Sequence, residues 1–211
     1  MKKPYRIVLL WPFFIVSLAI QTACSPSNSD QKHYSLSALP VERNASGHRI
    51  DTSNWKIYRT DTLFIKYPPS WTVQDKNLLA KPMRFYIKSP RQSSDDRFSE
   101  NLLVVEESLK TKQSLEDYYR QNKEEIIDIL GDGIISERKV DAVPLPYYKL
   151  DYKVQMNNRA FRFCQYYYVW KNKGFVLTFT SMESEWEKYE DTMQTIHRTF
   201  KILPALSQTK K

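Results

Sequence analysis

The segment NLLVVEES, residues 101–108, most constrains the fold of this chain, because its apolar side chains occupy both faces of a β-strand. Successive side chains of a strand point to opposite sides of the sheet. Leu103 and Val105 therefore share one face, and Leu102 and Val104 share the other. A strand with two apolar faces belongs to a sheet that is covered on both sides. The sequence thus predicts a sheet buried between two layers.

Short turns separate the other strand-like segments. PPSW, residues 68–71, cannot continue a helix or a central strand because of its prolines. MNNRA, residues 156–160, and KNKG, residues 171–174, each join two strand-like segments and predict hairpins, so the sheet is antiparallel. The predicted strands are WKIYRT, LFIKY, MRFYIK, NLLVVEES, IISERKV, YYKLDYKVQ, FRFCQYYYVW and FVLTFTS.

Residues 114–130 have the spacing of an amphipathic helix. Ser114 is placed to cap the helix with Asp117 reaching back, and Gly131 and Gly133 end it. Its apolar residues share a single face. They are Leu115, Tyr118, Tyr119, Ile126, Ile129 and Leu130.

A closing helix is predicted from Ser184, where Ser184 and Glu187 match a capping box. Its apolar residues recur at helical spacing. Strands followed by helices of this kind predict an α+β fold, an antiparallel β-sheet with helices packed on it. The apolar residues of the closing helix are Trp186, Tyr189, Met193, Ile196 and Phe200.

The first twenty residues have the pattern of a secretory signal. Residues 1–6 (MKKPYR) are positively charged, and residues 7–20 (IVLLWPFFIVSLAI) are almost entirely apolar. The apolar run is shorter than the roughly 20 residues that a membrane-spanning helix needs. A buried core helix would tolerate Pro12 badly and would not need the leading charges. The pattern predicts export.

Residues 20–24 (IQTAC) resemble the lipobox of bacterial lipoproteins, in which a small residue precedes a lipid-modified cysteine. Gln21 departs from the aliphatic residue that is usual there. The resemblance implies that Cys24 carries diacylglycerol and becomes the first residue of the mature chain. The alternative is cleavage after Ala19 at a small-x-small site, which would leave Cys24 as a thiol that could pair with Cys164.

The lipoprotein resemblance also implies a location. It implies three acyl chains in a two-membrane bacterium, and Ser25 after the cysteine fits release to the outer membrane, facing the periplasm. The next residues are rich in Ser, Asn and Pro and predict a flexible tether. The predicted organisation is a signal peptide at 1–23, the lipidated cysteine and tether at 24–54, a globular domain at 55–203 and a disordered tail at 204–211.

The charge pattern argues against nucleic-acid binding. The formal net charge is +8, but lysine and arginine are spread along the chain without a basic block. The chain has only 4 glycines, and none forms a phosphate-binding loop, so no nucleotide cofactor is predicted.

Cys164 and His197 are the two residues that invite a catalytic interpretation. Cys164 lies in an alternating strand, where a free cysteine is usually a small buried hydrophobic residue. His197 lies at the edge of the apolar stripe of the closing helix, with no serine or acid spaced to complete a triad. We therefore predict no catalytic residue and interpret both side chains as structural.

No segment has the spacing of a metal site. His33 and His48 fall in the tether without a second ligand four residues away. The acidic neighbours at 95–96 and 106–107 point to opposite sides of an extended chain, so each pair offers one ligand. The sequence GDG at 131–133 lacks the other acidic positions of a calcium loop. No metal or other cofactor is predicted.

Several segments together resemble the PsbP-like family, named for an extrinsic subunit of photosystem II. They are FIKYPPSW, NLLVVEE before a helix that opens SLEDYY, and the last strand and helix, and they span about residues 55–202. The resemblance implies an α/β/α sandwich and, in a photosynthetic organism, a photosystem partner. The matching positions concern packing and turns and identify a fold rather than a reaction. They are Phe64, Tyr67, Pro68, Trp71, Thr178 and Phe200.

These observations lead to a functional expectation. We expect a non-enzymatic, lipid-anchored accessory protein of the cell envelope, which docks onto a membrane or envelope protein complex and assists its assembly or stability. One alternative is a carrier of a small apolar ligand or lipid, which requires an apolar pocket between sheet and helices. Another is a hydrolase that uses Cys164 or His197. The tyrosine-rich strands predict core packing or, if exposed, a docking surface.

Overall fold

The computed structural model describes residues 50–74, 82–130, 133–142 and 144–203. The predicted signal, almost all of the tether and the predicted tail lie outside these ranges, as do Cys24, His33, His48 and Gly131. Within the described ranges, no helix is both long enough and apolar enough to cross a membrane.

A seven-stranded antiparallel sheet forms the centre of the domain. Its strand order is β3-β4-β5-β9-β8-β7-β6, so strands distant in sequence become neighbours. The strands are β3 (Thr72–Val73), β4 (Met83–Lys88), β5 (Asn101–Ser108), β6 (Ile134–Val140), β7 (Tyr147–Met156), β8 (Arg159–Trp170) and β9 (Lys173–Met182).

A small second sheet packs beside the main one. It has the order β1-β2-β10 and consists of β1 (Lys56–Arg59), β2 (Leu63–Tyr67) and β10 (Lys201–Ile202). The predicted turn at 68–71 is confirmed, since the Trp71 N–H donates to the Pro68 carbonyl at 3.0 Å.

Both predicted hairpins are confirmed, and each turn is tighter than the sequence segment suggested. The β7–β8 turn is Asn157-Asn158, with φ of 50° and 61°, and the β8–β9 turn is Lys171-Asn172, with φ of 46° and 60°. Two-residue turns with positive φ match the right-handed twist of the flanking strands. Asparagine adopts this left-handed conformation more readily than other residues with a Cβ, which explains three of the four positions.

The two predicted helices lie on opposite faces of the main sheet. They are α1 (Leu115–Leu130) and α2 (Trp186–Thr199). Leu103 and Val105 of β5 belong to the buried cluster that contains α1 residues, whereas Leu102 and Val104 belong to the cluster that contains α2 residues. The prediction of a sheet covered on both sides is confirmed, and the fold is an α/β/α sandwich of the α+β class. The small sheet lies on the α2 side, since Leu63, Ile65 and Tyr67 join that cluster.

The two helix starts differ from each other. At α1, the Ser114 Oγ accepts a hydrogen bond from the Asp117 N–H at 3.0 Å and donates to Asp117 Oδ2 at 2.7 Å, as the sequence predicted. The capping box predicted for Ser184 and Glu187 is wrong. The chain enters α2 through a 3-10 turn at Glu183–Glu185, and no side chain caps either the turn or the helix. Ser184 lies inside this turn, where its hydroxyl cannot occupy the capping position.

This difference predicts unequal effects of removing the two hydroxyls. Ser114→Ala should lower the free energy of unfolding by about 1 kcal/mol, the usual effect of losing an N-cap. Ser184→Ala should change it by less than about 0.5 kcal/mol, as for an ordinary surface substitution. Urea unfolding of the two variants provides the comparison, and equal losses would contradict the described starts of the helices.

Candidate functional site

A surface recess of about 330 Å³ lies where α1 meets β6 and β7. Its walls come from α1 on one side and from the edge of the main sheet on the other. The recess borders the hydrophobic cluster on the α1 side, to which Tyr119 belongs, and its lining is mostly charged. The lining residues are Glu116, Tyr119, Arg120, Lys123, Glu137, Arg138, Lys139 and Tyr148.

Two stacked tyrosines form the aromatic part of the recess. The rings of Tyr119 and Tyr148 are 4.1 Å apart between centroids and inclined by 4°. Tyr119 is buried, and Tyr148 covers it while remaining partly exposed. The Tyr119 hydroxyl donates to Glu137 Oε2 at 2.5 Å, and the Tyr148 hydroxyl donates to Glu116. The carboxylates therefore hold both rings in place.

The charges of the recess are arranged so that its carboxylates already have partners. Lys123 Nζ lies 2.6 Å from Glu137 Oε2, and the hydrogen bonds from Lys123 and Tyr119 lower the pKa of Glu137. The bond to Glu116 raises the pKa of Tyr148 to about 12, and burial followed by the bond to Glu137 raises that of Tyr119. At neutral pH the tyrosines are therefore neutral donors, and Glu137 is a charged acceptor.

Arg120 pairs with Asp117 at 2.7 Å, whereas the other two cations of the recess are more available. Arg138 forms no ion pair with any residue that the structure describes, and Lys139 Nζ approaches Asp141 only to 4.0 Å. Both side chains belong to exposed positions of β6. A recess with an aromatic wall and available cations suits the binding of a polar or anionic group.

Cys164 lies in the core between the sheet and α2. Its exposed fraction is 0%, and burial raises the pKa of its thiol, so it is not a thiolate nucleophile at neutral pH. The sequence interpretation of a small buried residue is confirmed. The alternative disulfide with Cys24 would require this core to open, because the Cys164 sulfur cannot be reached from the surface.

His197 packs among tyrosines while remaining partly exposed. Its ring stacks on Tyr166 with 3.6 Å between centroids, meets the Tyr147 ring edge-on at 5.0 Å, and its Nε2 is 2.7 Å from the Tyr168 hydroxyl. Burial, followed by the positive charge of Lys149, lowers the pKa of His197 to about 3. The ring is neutral at pH 7 and packs as part of the aromatic cluster, which agrees with the structural interpretation.

Solved structures of other proteins have a similar architecture. No family model matches the chain, and no match to a curated protein was found. Among solved structures, cyanobacterial PsbP (CyanoP) from Synechocystis sp. PCC 6803 has a TM-score of 0.54 at 19% identity over 70% of this chain and 92% of its own. The fold is PsbP-like.

Two further structures share this PsbP-like fold. LpqN of Mycobacterium tuberculosis, described as involved in cell envelope biogenesis, has a TM-score of 0.54 at 15% identity and covers 67% of this chain and 83% of its own. The third structure is PA94 of Pseudomonas aeruginosa, a protein of unknown function described as a putative regulator. It has a TM-score of 0.51 at 14% identity and covers 72% of this chain and 99% of its own. At such low identities, the likeness concerns the fold alone.

The acidic pair on β5 of the PsbP-like domain divides between the two faces of the sheet, as predicted. Glu106 is buried and pairs with Lys173 Nζ at 2.5 Å and Arg84 Nε at 3.2 Å. Glu107 accepts a hydrogen bond from the Tyr118 hydroxyl of α1 at 2.7 Å. Each carboxylate thus has its own partners. Among the residues that the structure describes, no three His, Cys, Asp or Glu side chains are grouped so that they could hold a metal ion.

Sequence reasoning did not identify the recess of the PsbP-like domain. It assigned Tyr119 to the buried face of α1, which is correct, but it did not bring Tyr148 and Glu137 to the same place. One signal was available in IISERKV, where charged residues occupy both faces of a strand. That pattern is typical of an edge strand.

The environment of His197 predicts a loss of stability in mild acid. An unfolded chain binds a proton at this ring below about pH 6.5, whereas the folded domain resists protonation down to about pH 3. The unprotonated His197 ring contributes its full stabilisation above pH 6.5. This contribution is lost as the pH falls from about 6.5 towards about 3. Between pH 7 and pH 4 we expect this ring to lower the free energy of unfolding by about 3 kcal/mol.

Chemical unfolding at several pH values, compared between the native chain and His197→Gln, measures this contribution. The variant removes the titrating group, so its stability should fall less steeply between pH 6.5 and pH 4. Parallel curves would mean that the ring is protonated as readily in the folded chain as in the unfolded one.

Proposed function

We propose that this chain is a lipid-anchored accessory protein of the cell envelope that acts without catalysis. Its PsbP-like domain docks onto a membrane or envelope protein complex and assists the assembly or stability of that complex. The observation that carries the proposal is the leader that ends at Cys24, because a lipid on this residue keeps the domain at a membrane. In a two-membrane bacterium we propose the outer membrane, facing the periplasm.

The chemistry of the domain supports a binding role. The Cys164 thiol is sealed in the core, and the His197 ring stacks on Tyr166 with its Nε2 at the Tyr168 hydroxyl, so both of the residues that sequence reasoning considered for catalysis are engaged in packing. Accessible groups of the domain include the charged side chains of the recess beside β6 and its partly exposed Tyr148. Such a surface suits recognition of another macromolecule.

The recess gives little support to the alternative of an apolar carrier. Six of its eight lining residues are charged, whereas a carrier site for a lipid is lined mostly by apolar side chains. The two large hydrophobic clusters are filled by their own side chains, many of which are less than 5% exposed.

The tether adds a geometric argument. A flexible chain as long as residues 25–54 reaches roughly 30 Å. The PsbP-like domain would therefore sample a shell next to the membrane surface, at the height of the exposed parts of membrane complexes. If the organism is photosynthetic, we propose photosystem II as the first complex to examine.

Cross-linking in intact cells tests the proposal. Envelopes are then solubilised in detergent, and the chain is followed on native gels beside a strain that lacks it. We expect the chain in one reproducible high-mass complex, and we expect that complex to be less abundant or less heat-stable in the deletion strain. A chain that migrates alone in repeated experiments, with an unchanged pattern of envelope complexes, would contradict the proposal.

A further inference from the structure

The edge strand β6 presents unused hydrogen-bonding groups. In the main sheet it pairs only with β7, and among the described strands none pairs with its outer side. The opposite edge of the sheet, β3, is only two residues long. The register of β6 shifts between Ile134 and Ser136, and the regular part of this edge, residues 136–140, is a template on which another extended segment can add as a strand.

The available charges on the β6 edge are positive. Arg138 and Lys139 are consecutive, so they point to opposite faces of the sheet, and both are exposed. The neighbouring Glu137 is neutralised by Lys123 and by the Tyr119 hydroxyl. An incoming strand therefore meets an available cation on each face.

The surroundings of the two available cations differ between the faces. On the α1 face, Lys139 borders the recess, which is large enough to receive a side chain and in which Lys123 and Arg120 are already paired with Glu137 and Asp117. On the α2 face, Arg138 lies opposite Lys149 of β7, whose Nζ is already paired with Asp151 Oδ2 at 2.9 Å, so Arg138 is the available cation there.

We propose that the β6 edge binds an extended acidic segment of the partner protein by strand addition. Two consecutive acidic residues of that segment reach Arg138 on one face and Lys139, at the mouth of the recess, on the other. The backbone of the added strand supplies affinity, and the two carboxylates supply specificity. This inference rests on the proposed docking function, for which it names the surface and the partner chemistry.

The charges of the chain itself argue against two other occupants. A second copy of β6 would bring its own Arg138 and Lys139 to the same edge, where like charges repel. The tether has only two acidic residues among 25–49, Asp30 and Glu42, and they are far apart in sequence. A partner segment with adjacent carboxylates fits the edge better than either.

Binding of defined peptides to the full mature chain tests the proposal. The chain carries Cys24→Ser, and the probe is an eight-residue peptide of threonine and valine with a central Glu-Asp pair. We expect this peptide to shift the amide resonances of Ile134–Val140 and to slow their hydrogen exchange. A peptide with Lys-Lys at the centre, or with proline next to the acidic pair, should bind at least tenfold more weakly.

Variants of the two edges provide the matched comparison. Arg138→Glu with Lys139→Glu should weaken peptide binding at least tenfold. The same charge reversal at Lys56 and Arg59 of β1, an edge strand of the small sheet, should change the affinity for the peptide by less than twofold. Unchanged thermal unfolding establishes that each pair of substitutions preserves the fold.

Several results would overturn the proposal. They are equal binding of the lysine or proline peptide, binding that survives the reversal on β6, and resonance shifts confined to another surface. Phosphatidylglycerol vesicles are the remaining probe. Binding to vesicles that depends on Arg138 and Lys139, without binding of the acidic peptide, would assign the edge to a membrane surface instead.

The native-gel experiment separates this inference from the function on which it rests. If the high-mass complex persists when Arg138 and Lys139 are reversed, the docking function stands and the β6 edge is not its surface. If the unaltered chain forms no complex, the docking function itself fails.

Discussion

Replacing Cys24 with serine should release the chain from the membrane. Serine has no thiol to accept the diacylglycerol, so the variant would have no fatty acyl chains. Each buried methylene contributes about 0.8 kcal/mol to membrane binding, and two or three chains therefore hold a protein almost irreversibly. We expect nearly all of the native chain in the membrane fraction, whereas any of the variant that is processed should be found in the aqueous fraction.

The second cysteine provides the control for this experiment. Cys164→Ala removes a thiol from the core and leaves the lipidation site intact, so the variant should stay in the membrane fraction. Mass spectrometry of the native N-terminus gives an independent result, since acylation at Cys24 and a free start at Ile20 have different masses. A native chain that starts at Ile20 with an unmodified Cys24 would remove the basis of the proposed function.

Truncation of Trp186 should produce the largest loss of stability. This side chain is 2% exposed at the first turn of α2, its ring meets Phe179 of β9 edge-on at 5.8 Å, and the Arg162 guanidinium lies 4.1 Å from the ring centroid. Trp186→Ala removes an aromatic anchor between helix and sheet and leaves a cavity. We expect a loss of about 3–5 kcal/mol in the free energy of unfolding, measured in urea.

Two variants determine whether that loss comes from packing. Trp186→Phe keeps an aromatic ring, so it should retain most of the stability. Ile127→Ala truncates a side chain of α1 that is 41% exposed, and it should have an effect below about 1 kcal/mol. A small effect of Trp186→Ala would mean that the α2 side of the core does not depend on this anchor.

Local patterns predicted most of the elements of the PsbP-like fold. The two-sided apolar pattern of residues 101–108 predicted a covered sheet, and the asparagine-containing links predicted the hairpins. These signals are readable because neighbours in sequence determine side-chain alternation and turn conformation. The start of α2 was predicted incorrectly at Ser184 because the 3-10 turn depends on how the chain leaves β9, which a four-residue motif does not record.

The candidate site was less accessible to sequence reasoning. The residues of the recess come from α1, β6 and β7, and their contacts depend on how the helix lies across the sheet. Tyr119 was visible only as an apolar helix position, and Tyr148 only as one of several strand tyrosines. Their stacking, and the carboxylate that each hydroxyl meets, follow from packing between elements distant in sequence.

The sequence by itself determined the predicted export signal, the lipidation candidate at Cys24, the strand and helix segments and the two-layer cover of the sheet, because each depends on short-range pattern. Only the tertiary structure decided that Cys164 is sealed in the core, that His197 packs among tyrosines, that β6 is an edge and that a charged recess opens beside it. Those properties depend on strand order and on which faces meet. Strand order is set by the total burial of the apolar surfaces, to which every element contributes and which no single segment encodes.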